Sequence, residues 1–314
     1  MIDSPGSIQP DSSLHARQLL ERYPQRPGTN RLDDARVRRH SVPGGSIRSL
    51  HLAAAAPEQG LPVLFVPGWG GVMTGFARTL GAVDPRVRVI YAETREKRSS
   101  RLARNAPFSM RHFARDIAAV ARDAGLTERG FVLAGSSFGG AVVAQALALH
   151  LLKPAATILY DPMPRLWVPR WTLTTLAPLL PVGVIAHLRP GLKRLVLAGM
   201  REPTQRRRTA RFIDDADLWK WRAAALRMRS WTIWKIAPRV ESSVYVVNGS
   251  SDRFHAGAIY PQIAAALPHG RLFRVPVDES EREDLMGAIL SECALSRGSP
   301  GMLELFEQPL RSRL

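Results

Sequence analysis

The residues best suited to chemistry form a short pattern around Ser137. This serine is the centre of a G-x-S-x-G pattern, with Gly135 and Gly139 two residues to either side. An apolar run typical of a buried strand, residues 131–134, precedes the pattern, and an apolar run typical of a helix, residues 140–152, follows it. A chain that turns this sharply from strand to helix needs small residues at both flanks. The pattern predicts a nucleophilic serine at a helix N-terminus, where developing negative charge is favoured; a structural turn with an idle serine is the alternative.

A glycine-rich loop lies upstream, directly after another apolar run. Residues 63–66 are typical of a buried strand, and residues 67–71 read Pro-Gly-Trp-Gly-Gly. Such a loop can aim a backbone N–H at the same point as the N–H of Phe138, and two such donors form an oxyanion hole. Trp69 is the predicted donor on this loop, and a plain strand-to-helix turn is the alternative.

Taken together, these patterns resemble the α/β-hydrolase superfamily over residues 37–290. Residues 135–140 match its nucleophile elbow, and residues 67–71 look like its His-Gly oxyanion loop, with Pro67 where His is common. Residues 108–117 are similar to the helix that precedes the elbow. The resemblance implies a serine esterase or thioesterase whose nucleophile is Ser137.

The resemblance also implies a position for the acid of a catalytic triad. Residues 244–247 and the Asn-Gly-Ser-Ser-Asp that follows resemble the strand and loop that carry this acid. By that resemblance Asp252 is the triad carboxylate, with a turn-stabilising role as the alternative. Asp161, at the end of an earlier strand pattern, is the second candidate acid.

The sequence departs from the family where the catalytic histidine is expected. The last strand pattern, residues 271–275, is followed by Pro276-Val-Asp-Glu-Ser-Glu-Arg-Glu-Asp-Leu285, which contains no histidine. By spacing, the position of the base falls near residues 279–281. A carboxylate there, with an ordinary pKa of roughly 4.3, is a weak base toward a serine hydroxyl. Losing the base costs several orders of magnitude in rate.

Another histidine is therefore needed if the chain is a hydrolase of this kind. His255 lies three residues after Asp252, and a base oriented by a neighbouring carboxylate is physically sound, so His255 is the predicted base. A solvent-facing loop histidine is the alternative. His187 is a further candidate, whereas His269, just before the last strand, is expected at the opposite end of the sheet from Ser137.

Short apolar runs, residues 87–91 and 157–160 among them, alternate with helical patterns along most of the chain, which predicts an α/β fold with a mostly parallel central sheet and flanking helices. The alternation stops between residues 163 and 239. We therefore expect an N-terminal arm over residues 1–30, a hydrolase core over residues 31–162 and 240–314, and an inserted, basic helical lid over residues 163–239.

The predicted lid has an unusual composition. Residues 163–239 contain 16 Lys and Arg against 4 Asp and Glu, and six of the seven tryptophans, while the whole chain has a net charge of +17. A basic, aromatic lid favours an apolar pocket and an anionic partner. That partner could be the phosphate handle of coenzyme A or a carrier protein at residues 206–208, or the surface of an anionic membrane. Nothing else in the sequence resembles a nucleic-acid-binding module, so nucleic acid is not the expected partner.

Composition excludes several other classes of protein. With 314 residues, 45% hydrophobic and 23% charged, the chain is neither disordered, collagen-like nor a coiled coil. Its single cysteine, Cys293, excludes a disulfide framework and a multi-cysteine metal site, and the sequence predicts no metal and no cofactor. The first ten residues lack the basic and apolar regions of a signal peptide, from which we expect a cytoplasmic protein.

Three functions remain open from the sequence. The first is hydrolysis of an ester or thioester with an apolar acyl group. The second is acyl transfer on the same scaffold, in which a dry lid favours an acceptor over water. The third is ligand binding without catalysis, as in gibberellin receptors, which share the fold and lack the histidine.

Overall fold

The structure is a computed structural model, and it describes residues 10–24, 31–55, 57–71, 73–126, 130–166, 179, 181–198, 200, 203–249, 257–275 and 281–310. Within these residues the sheet has ten strands: β1 Arg36–Val42, β2 Gly45–Leu52, β3 Val63–Val66, β4 Val89–Ala92, β5 Arg101–Leu102, β6 Val132–Ser136, β7 Ala156–Tyr160, β8 Val244–Asn248, β9 Gly270–Arg274 and β10 Glu307–Gln308.

The sheet is parallel at its centre and antiparallel at its edges. Its order is β1-β2-β4-β3-β6-β7-β8-β9-β10, with β5 paired to β2. The six strands from β4 to β9 in this order run parallel, whereas β1, β2, β5 and β10 pair antiparallel. Strands β3, β4, β6, β7 and β8 are buried at every residue, as expected for strands covered on both faces. The predicted fold class is confirmed.

Helices cover both faces of this sheet. The described α-helices are α1 Pro10–Arg22, α2 Ala77–Gly81, α3 Met110–Asp123, α4 Phe138–Ala148, α5 Val182–Ala198, α6 Pro203–Asp214, α7 Leu218–Met228, α8 Tyr260–Ala266 and α9 Arg282–Leu295. Helices α3, α4 and α8 contribute to one hydrophobic core, and α1, α2 and α9 contribute to the other. The sheet is therefore the middle of three layers, and the ends of its parallel strands are free to carry loops.

The first helix is part of the packed domain. Leu19 and Tyr23 are buried, and the Tyr23 hydroxyl donates to Oε2 of the buried Glu292 on α9 at 2.7 Å. The segment that the sequence suggested as an arm thus contributes a helix to the core.

The chain between β7 and β8 is helical, with α5, α6 and α7 in the segment predicted as a lid. Helix α7 buries Lys220, Ala224 and Met228, whereas α5 buries none of its described residues. No helix in the described ranges is both long enough and apolar enough to cross a bilayer. Of the three described α-helices of this segment, α7 therefore contacts the core most closely.

Candidate active site

Ser137 occupies a strained turn between β6 and α4. Its backbone has φ +50° and ψ −111°, and it is the residue immediately before the first turn of α4. A positive φ is costly for a residue with a side chain, and such strain persists only where the surroundings enforce it. Here the Ser137 N–H donates to the Tyr160 carbonyl at 2.9 Å, and the Met163 N–H donates to the Ser137 carbonyl at 3.0 Å. The end of β7 therefore holds the serine in its turn.

The two glycines that flank Ser137 are required by close backbone contacts. A Cβ atom on Gly139 would stand 2.0 Å from the carbonyl oxygen of Val66, and one on Gly135 would stand 2.6 Å from the carbonyl carbon of Gly139. Neither separation is possible between real atoms. The steric reason expected from the sequence is thus present on both sides of the turn.

The glycine-rich loop after β3 lies beside Ser137. A Cβ atom on Gly68 would be 3.6 Å from the Cβ of Ser137, and the ring of Trp69 packs edge-on against the ring of Phe138, with centroids 4.9 Å apart. Phe138 is the first residue of α4, and the first N–H groups of a helix have no partner within it. The structure brings Ser137, Phe138 and Trp69 together, and their roles as nucleophile and oxyanion donors remain predictions.

A buried ion pair supports this loop from behind, and sequence reasoning missed it. Lys97 donates to the carbonyl of Gly68 and also lies 2.8 Å from Oε1 of Glu96, which accepts a hydrogen bond from Thr94 at 2.9 Å. The side chains of Lys97 and Glu96 are 3% and 0% exposed. The available signal was a charged run, residues 93–97, placed directly after the buried strand β4.

A second buried pair fixes the same run of residues to α3. Arg95 contacts Asp116 through Nε and Nη2, at 2.7 and 2.5 Å, and both side chains are almost fully buried. Two parallel charge-assisted hydrogen bonds define the geometry of this contact closely. The sequence placed Asp116 on the helix before the elbow, and the structure shows that its carboxylate anchors the loop after β4.

Helix α7 closes over the glycine-rich loop. Lys220 donates from Nζ to the carbonyls of Lys97 at 2.9 Å and Ser100 at 2.7 Å. Trp221 packs on Trp69, with ring centroids 5.6 Å apart, and a Cβ atom on Gly70 would stand 2.3 Å from the Trp221 ring. The inserted segment therefore touches the loop predicted to stabilise the oxyanion.

Asp161, the second candidate acid, connects three elements through hydrogen bonds to its carboxylate. It follows β7 with a φ of +46° and is fully buried. Its Oδ1 accepts hydrogen bonds from Asn248 Nδ2 at 2.8 Å and from the Gly249 N–H at 3.2 Å, and its Oδ2 accepts one from Arg282 at 2.9 Å. The carboxylate thus links the ends of β7 and β8 to the start of α9.

Two of the residues proposed for the triad lie outside the described part of the chain. These are Asp252 and His255, in residues 250–256, and the same holds for residues 276–280, where the family resemblance places a histidine. Glu281, also near that position, immediately precedes α9.

Several described histidines have identified partners away from Ser137. His40 bonds to Asp123 and Ser49 at 2.8 and 2.7 Å, and His112 bonds to Ser109 at 2.7 Å. His269 accepts the N–H of Val244, the first residue of β8, through its carbonyl. Since Ser137 follows the last residue of the parallel strand β6, His269 is at the opposite end of the sheet, as predicted. His187 is an exposed residue of α5.

A cavity of about 270 Å³ adjoins the glycine-rich loop at Gly70 and Gly71. Gly70 and Gly71 form part of its wall, together with three cations, two carboxylates and an indole: Arg48, Lys97, Arg98, Glu93, Asp215 and Trp221. Glu93 binds Arg48 through both carboxylate oxygens, at 2.6 and 2.8 Å. Arg98 is an exposed cation on this wall. The cavity is large enough for a small polar group, and Ser137, Phe138 and Trp69 are not among the residues that line it.

Comparison with known proteins gives a consistent result. Residues 63–280 match the model of the alpha/beta hydrolase family. The fold is similar to a thermophilic esterase from Thermogutta terrifontis with malate bound, with a TM-score of 0.62, 20% identity, and coverage of 77% of this chain and 90% of that one. It is also similar to an esterase from Exiguobacterium antarcticum, with a TM-score of 0.65, 16% identity and coverage of 79% and 95%.

A third similar structure is an enol-lactonase from Burkholderia xenovorans LB400, with a TM-score of 0.56, 17% identity, and coverage of 74% of this chain and 88% of that one. No protein of curated function matches the sequence significantly. At these identities the solved structures indicate a shared fold, and the reaction has to be argued from the site.

Proposed function

Because the chain belongs to the alpha/beta hydrolase family, we propose that it is a serine hydrolase that cleaves an ester or thioester of an apolar acyl group. The observation that carries this proposal is the enforced turn at Ser137, with the loop of Gly68 beside it. Strain of this kind costs free energy in the folded state, and it is a common feature of active sites.

In the proposed reaction, Oγ of Ser137 forms a bond to the carbonyl carbon of the substrate while a base takes the hydroxyl proton. The carbonyl oxygen becomes an oxyanion that accepts hydrogen bonds from the N–H groups of Phe138 and Trp69. Collapse of this intermediate breaks the bond to the alcohol or thiol, which leaves with a proton, and water then hydrolyses the acyl-serine. Asp252 and His255 are the proposed acid and base.

The preference for an apolar acyl group rests on the aromatic surroundings of the serine. Trp69, Phe138 and Trp221 form a continuous set of ring contacts at this site. Aromatic side chains favour apolar ligands, and their rigid rings define the shape of a pocket. We therefore infer that the acyl chain, rather than a charged group, lies against these rings.

The cavity beside the loop suggests where a charged part of the substrate would bind. Arg48 is neutralised by Glu93, whereas Arg98 is an exposed cation on the same wall. Together with the net charge of +17, this favours a leaving group with a phosphate or carboxylate, such as coenzyme A or a carrier-protein arm. An anionic membrane surface is the alternative partner, and the same net positive charge would favour its contact with the protein.

The second candidate function is ligand binding without catalysis. It is favoured by one observation, the absence of histidine from residues 276–285. Both candidates use the same pocket, so only turnover separates them.

The experiment is hydrolysis of p-nitrophenyl esters of increasing acyl length and of the matching acyl-coenzyme A thioesters, by wild type and by Ser137→Ala. We expect turnover in wild type and none above background in the variant. Equal rates in both proteins would contradict the serine mechanism. Ligand-dependent quenching of tryptophan fluorescence without turnover by wild type would favour the binding function.

A further inference from the structure

The carbonyl of Gly68 and the N–H of Trp69 belong to one peptide group. A trans peptide is planar, so its C=O and N–H point in opposite directions. Lys97 and the N–H of Gly71 both donate to the Gly68 oxygen, the latter at 3.0 Å. These bonds hold the orientation of the carbonyl, and they therefore also hold the direction in which the Trp69 N–H points.

The donor from Lys97 is a buried ammonium group, and removing its charge from water costs free energy. Its side chain is 3% exposed, and the Glu96 carboxylate 2.8 Å away is fully buried. A buried pair of this kind contributes little to stability compared with apolar residues of similar size. Stability alone therefore gives no strong reason to place Lys97 behind the loop, which points to a role in the geometry of the site.

A charged donor has a second effect on the peptide. A charge-assisted hydrogen bond is roughly twice as strong as a neutral one, and a donor to the C=O polarises the peptide so that its N–H becomes a better donor. Lys97 therefore strengthens the Trp69 N–H as well as fixing its direction. Neither effect is available from an apolar side chain that only fills the same space.

Lys97 is itself held from the side of the insertion. Lys220 on α7 donates to the carbonyls of Lys97 and Ser100, and its own side chain is 5% exposed. The neighbouring Trp221 packs on Trp69. A continuous set of contacts thus leads from α7 through Lys97 to the peptide of Gly68 and Trp69.

We propose that Lys97 is a positioning residue of the oxyanion hole, which aims and polarises the Trp69 N–H through the Gly68 carbonyl. The inference rests on the proposed function, because it assumes that an oxyanion forms next to Ser137. Lys97 acts on the transition state, where the oxyanion is present, and has no contact with the ground-state acyl chain. With a neutral p-nitrophenyl ester, which has no charged group for the cavity that Lys97 also lines, its loss should therefore lower kcat and leave KM nearly unchanged.

The test compares Lys97→Met with Lys220→Met, which removes an equally buried ammonium but leaves the Lys97–Gly68 bond. Removing one oxyanion donor costs about 10²–10³ in kcat, and a misdirected donor should cost at least about tenfold. For Lys97→Met we expect a loss of at least about tenfold in kcat and a KM within about threefold of the wild-type value. Phenylboronic acid forms a tetrahedral adduct with an active serine, and its affinity should fall by the same factor as kcat. Lys220→Met should lose less in kcat and in boronate affinity. Equal effects of the two variants on both quantities would overturn the proposal.

Two further measurements do not depend on turnover. In protein labelled with ¹⁵N-tryptophan, the backbone amide of Trp69, assigned by its absence in Trp69→Phe, should shift more in Lys97→Met than in Lys220→Met. If wild type neither turns over esters nor binds boronate, the hydrolase proposal fails, and this shift still tests Lys97. An unchanged Trp69 resonance in Lys97→Met would overturn the positioning role.

If Lys97→Met does not fold, a crystal structure of wild type soaked with phenylboronic acid decides the question. We expect the Trp69 nitrogen about 3 Å from a boronate oxygen, with Nζ of Lys97 still on the Gly68 carbonyl. A boronate oxygen without contact to Trp69, or a loop peptide turned away from Lys97, would contradict the proposal. If the crystals contain no adduct, the peptide between Gly68 and Trp69 still tests the proposal. A Gly68 carbonyl that does not accept a hydrogen bond from Lys97 would contradict it equally.

Discussion

Arg282 donates to Oδ2 of Asp161 at 2.9 Å, and this bond ties the first residue of α9 to the end of β7. Tyr160, whose carbonyl accepts the N–H of Ser137, also lies under the Arg282 guanidinium at 5.8 Å. The family resemblance places a histidine just before this arginine. In the described part of the chain, Arg282 is the cation that contacts the Asp161 carboxylate. This contact stabilises the end of β7, and β7 holds Ser137 in its turn.

The first prediction concerns this pair. Arg282→Met leaves a buried carboxylate with fewer donors, and breaking a buried pair costs about 3–5 kcal/mol in the free energy of unfolding. We expect about 3 kcal/mol, because Asn248 and Gly249 still donate to Asp161. The measurement is urea denaturation of Arg282→Met, Asp161→Asn and the double variant. Because each single substitution removes the same hydrogen bond, the double variant should lose less free energy of unfolding than the two single variants together. A loss equal to their sum would contradict the coupling.

The second prediction concerns the turn at the nucleophile. Gly139→Ala would place a Cβ atom 2.0 Å from the Val66 carbonyl oxygen, so α4 must move away from β3. We expect a lower melting temperature and at least about a hundredfold loss of ester hydrolysis, because a displacement of about 1 Å can cost that much in rate. Gly81→Ala is the matched control, since a Cβ atom there meets nothing within 4 Å. If the two variants behave alike, the steric account of the turn is wrong.

The third prediction concerns the base. His255→Ala should lower ester hydrolysis at least about tenfold, since a positioned base contributes roughly 10²–10⁴. Ser280→His introduces an imidazole where the family carries one, and it should raise the activity of His255→Ala if the site lacks only that group. The readout is kcat/KM for the best p-nitrophenyl ester. Unchanged rates in His255→Ala together with a gain from Ser280→His would show that His255 has no catalytic role.

The fourth prediction concerns the pH dependence of stability. Burial lowers the pKa of His51 from 6.5 to about 4, with further contributions from Arg38, His40 and Arg88. The unfolded chain binds this proton at higher pH than the folded chain, so the stability that depends on His51 is full above about pH 6.5 and falls as the pH drops toward 4. His51→Gln removes the titrating imidazole. The side-chain amide of the glutamine can still form a hydrogen bond with Ser49, whose hydroxyl lies 2.9 Å from Nε2 of His51. The melting temperature of the variant should fall less than that of wild type between pH 7 and pH 4.5, and parallel curves would contradict this assignment.

Much of the fold could be predicted because its central strands are buried on both faces. Such strands appear in the sequence as continuous apolar runs, and four of them, residues 63–66, 131–134, 157–160 and 244–247, match β3, β6, β7 and β8 closely. The strand expected at residues 87–91 is β4 at residues 89–92, a shift at its boundary. The two-residue strands β5 and β10 are too short to produce a pattern, and they form through pairing with distant residues.

The support behind the candidate site could not be predicted for a different reason. Lys97 and Glu96 have the composition of a solvated turn, and only the tertiary structure buries them. Lys220, which closes over Lys97, is 123 residues away in the sequence. The glycines around Ser137 were recognisable because their requirement is local, whereas a buried ion pair depends on what packs over it.

The most direct measurement of the central claim is the reaction of Ser137 with a fluorophosphonate, followed by intact-protein and peptide mass spectrometry. A serine that is activated in its turn and faces two oxyanion donors should be labelled once, at Ser137, and Ser137→Ala should stay unlabelled. Circular dichroism before and after the reaction checks that the protein remains folded. An unlabelled, folded wild-type protein after prolonged exposure would contradict a nucleophilic Ser137 and favour ligand binding without catalysis.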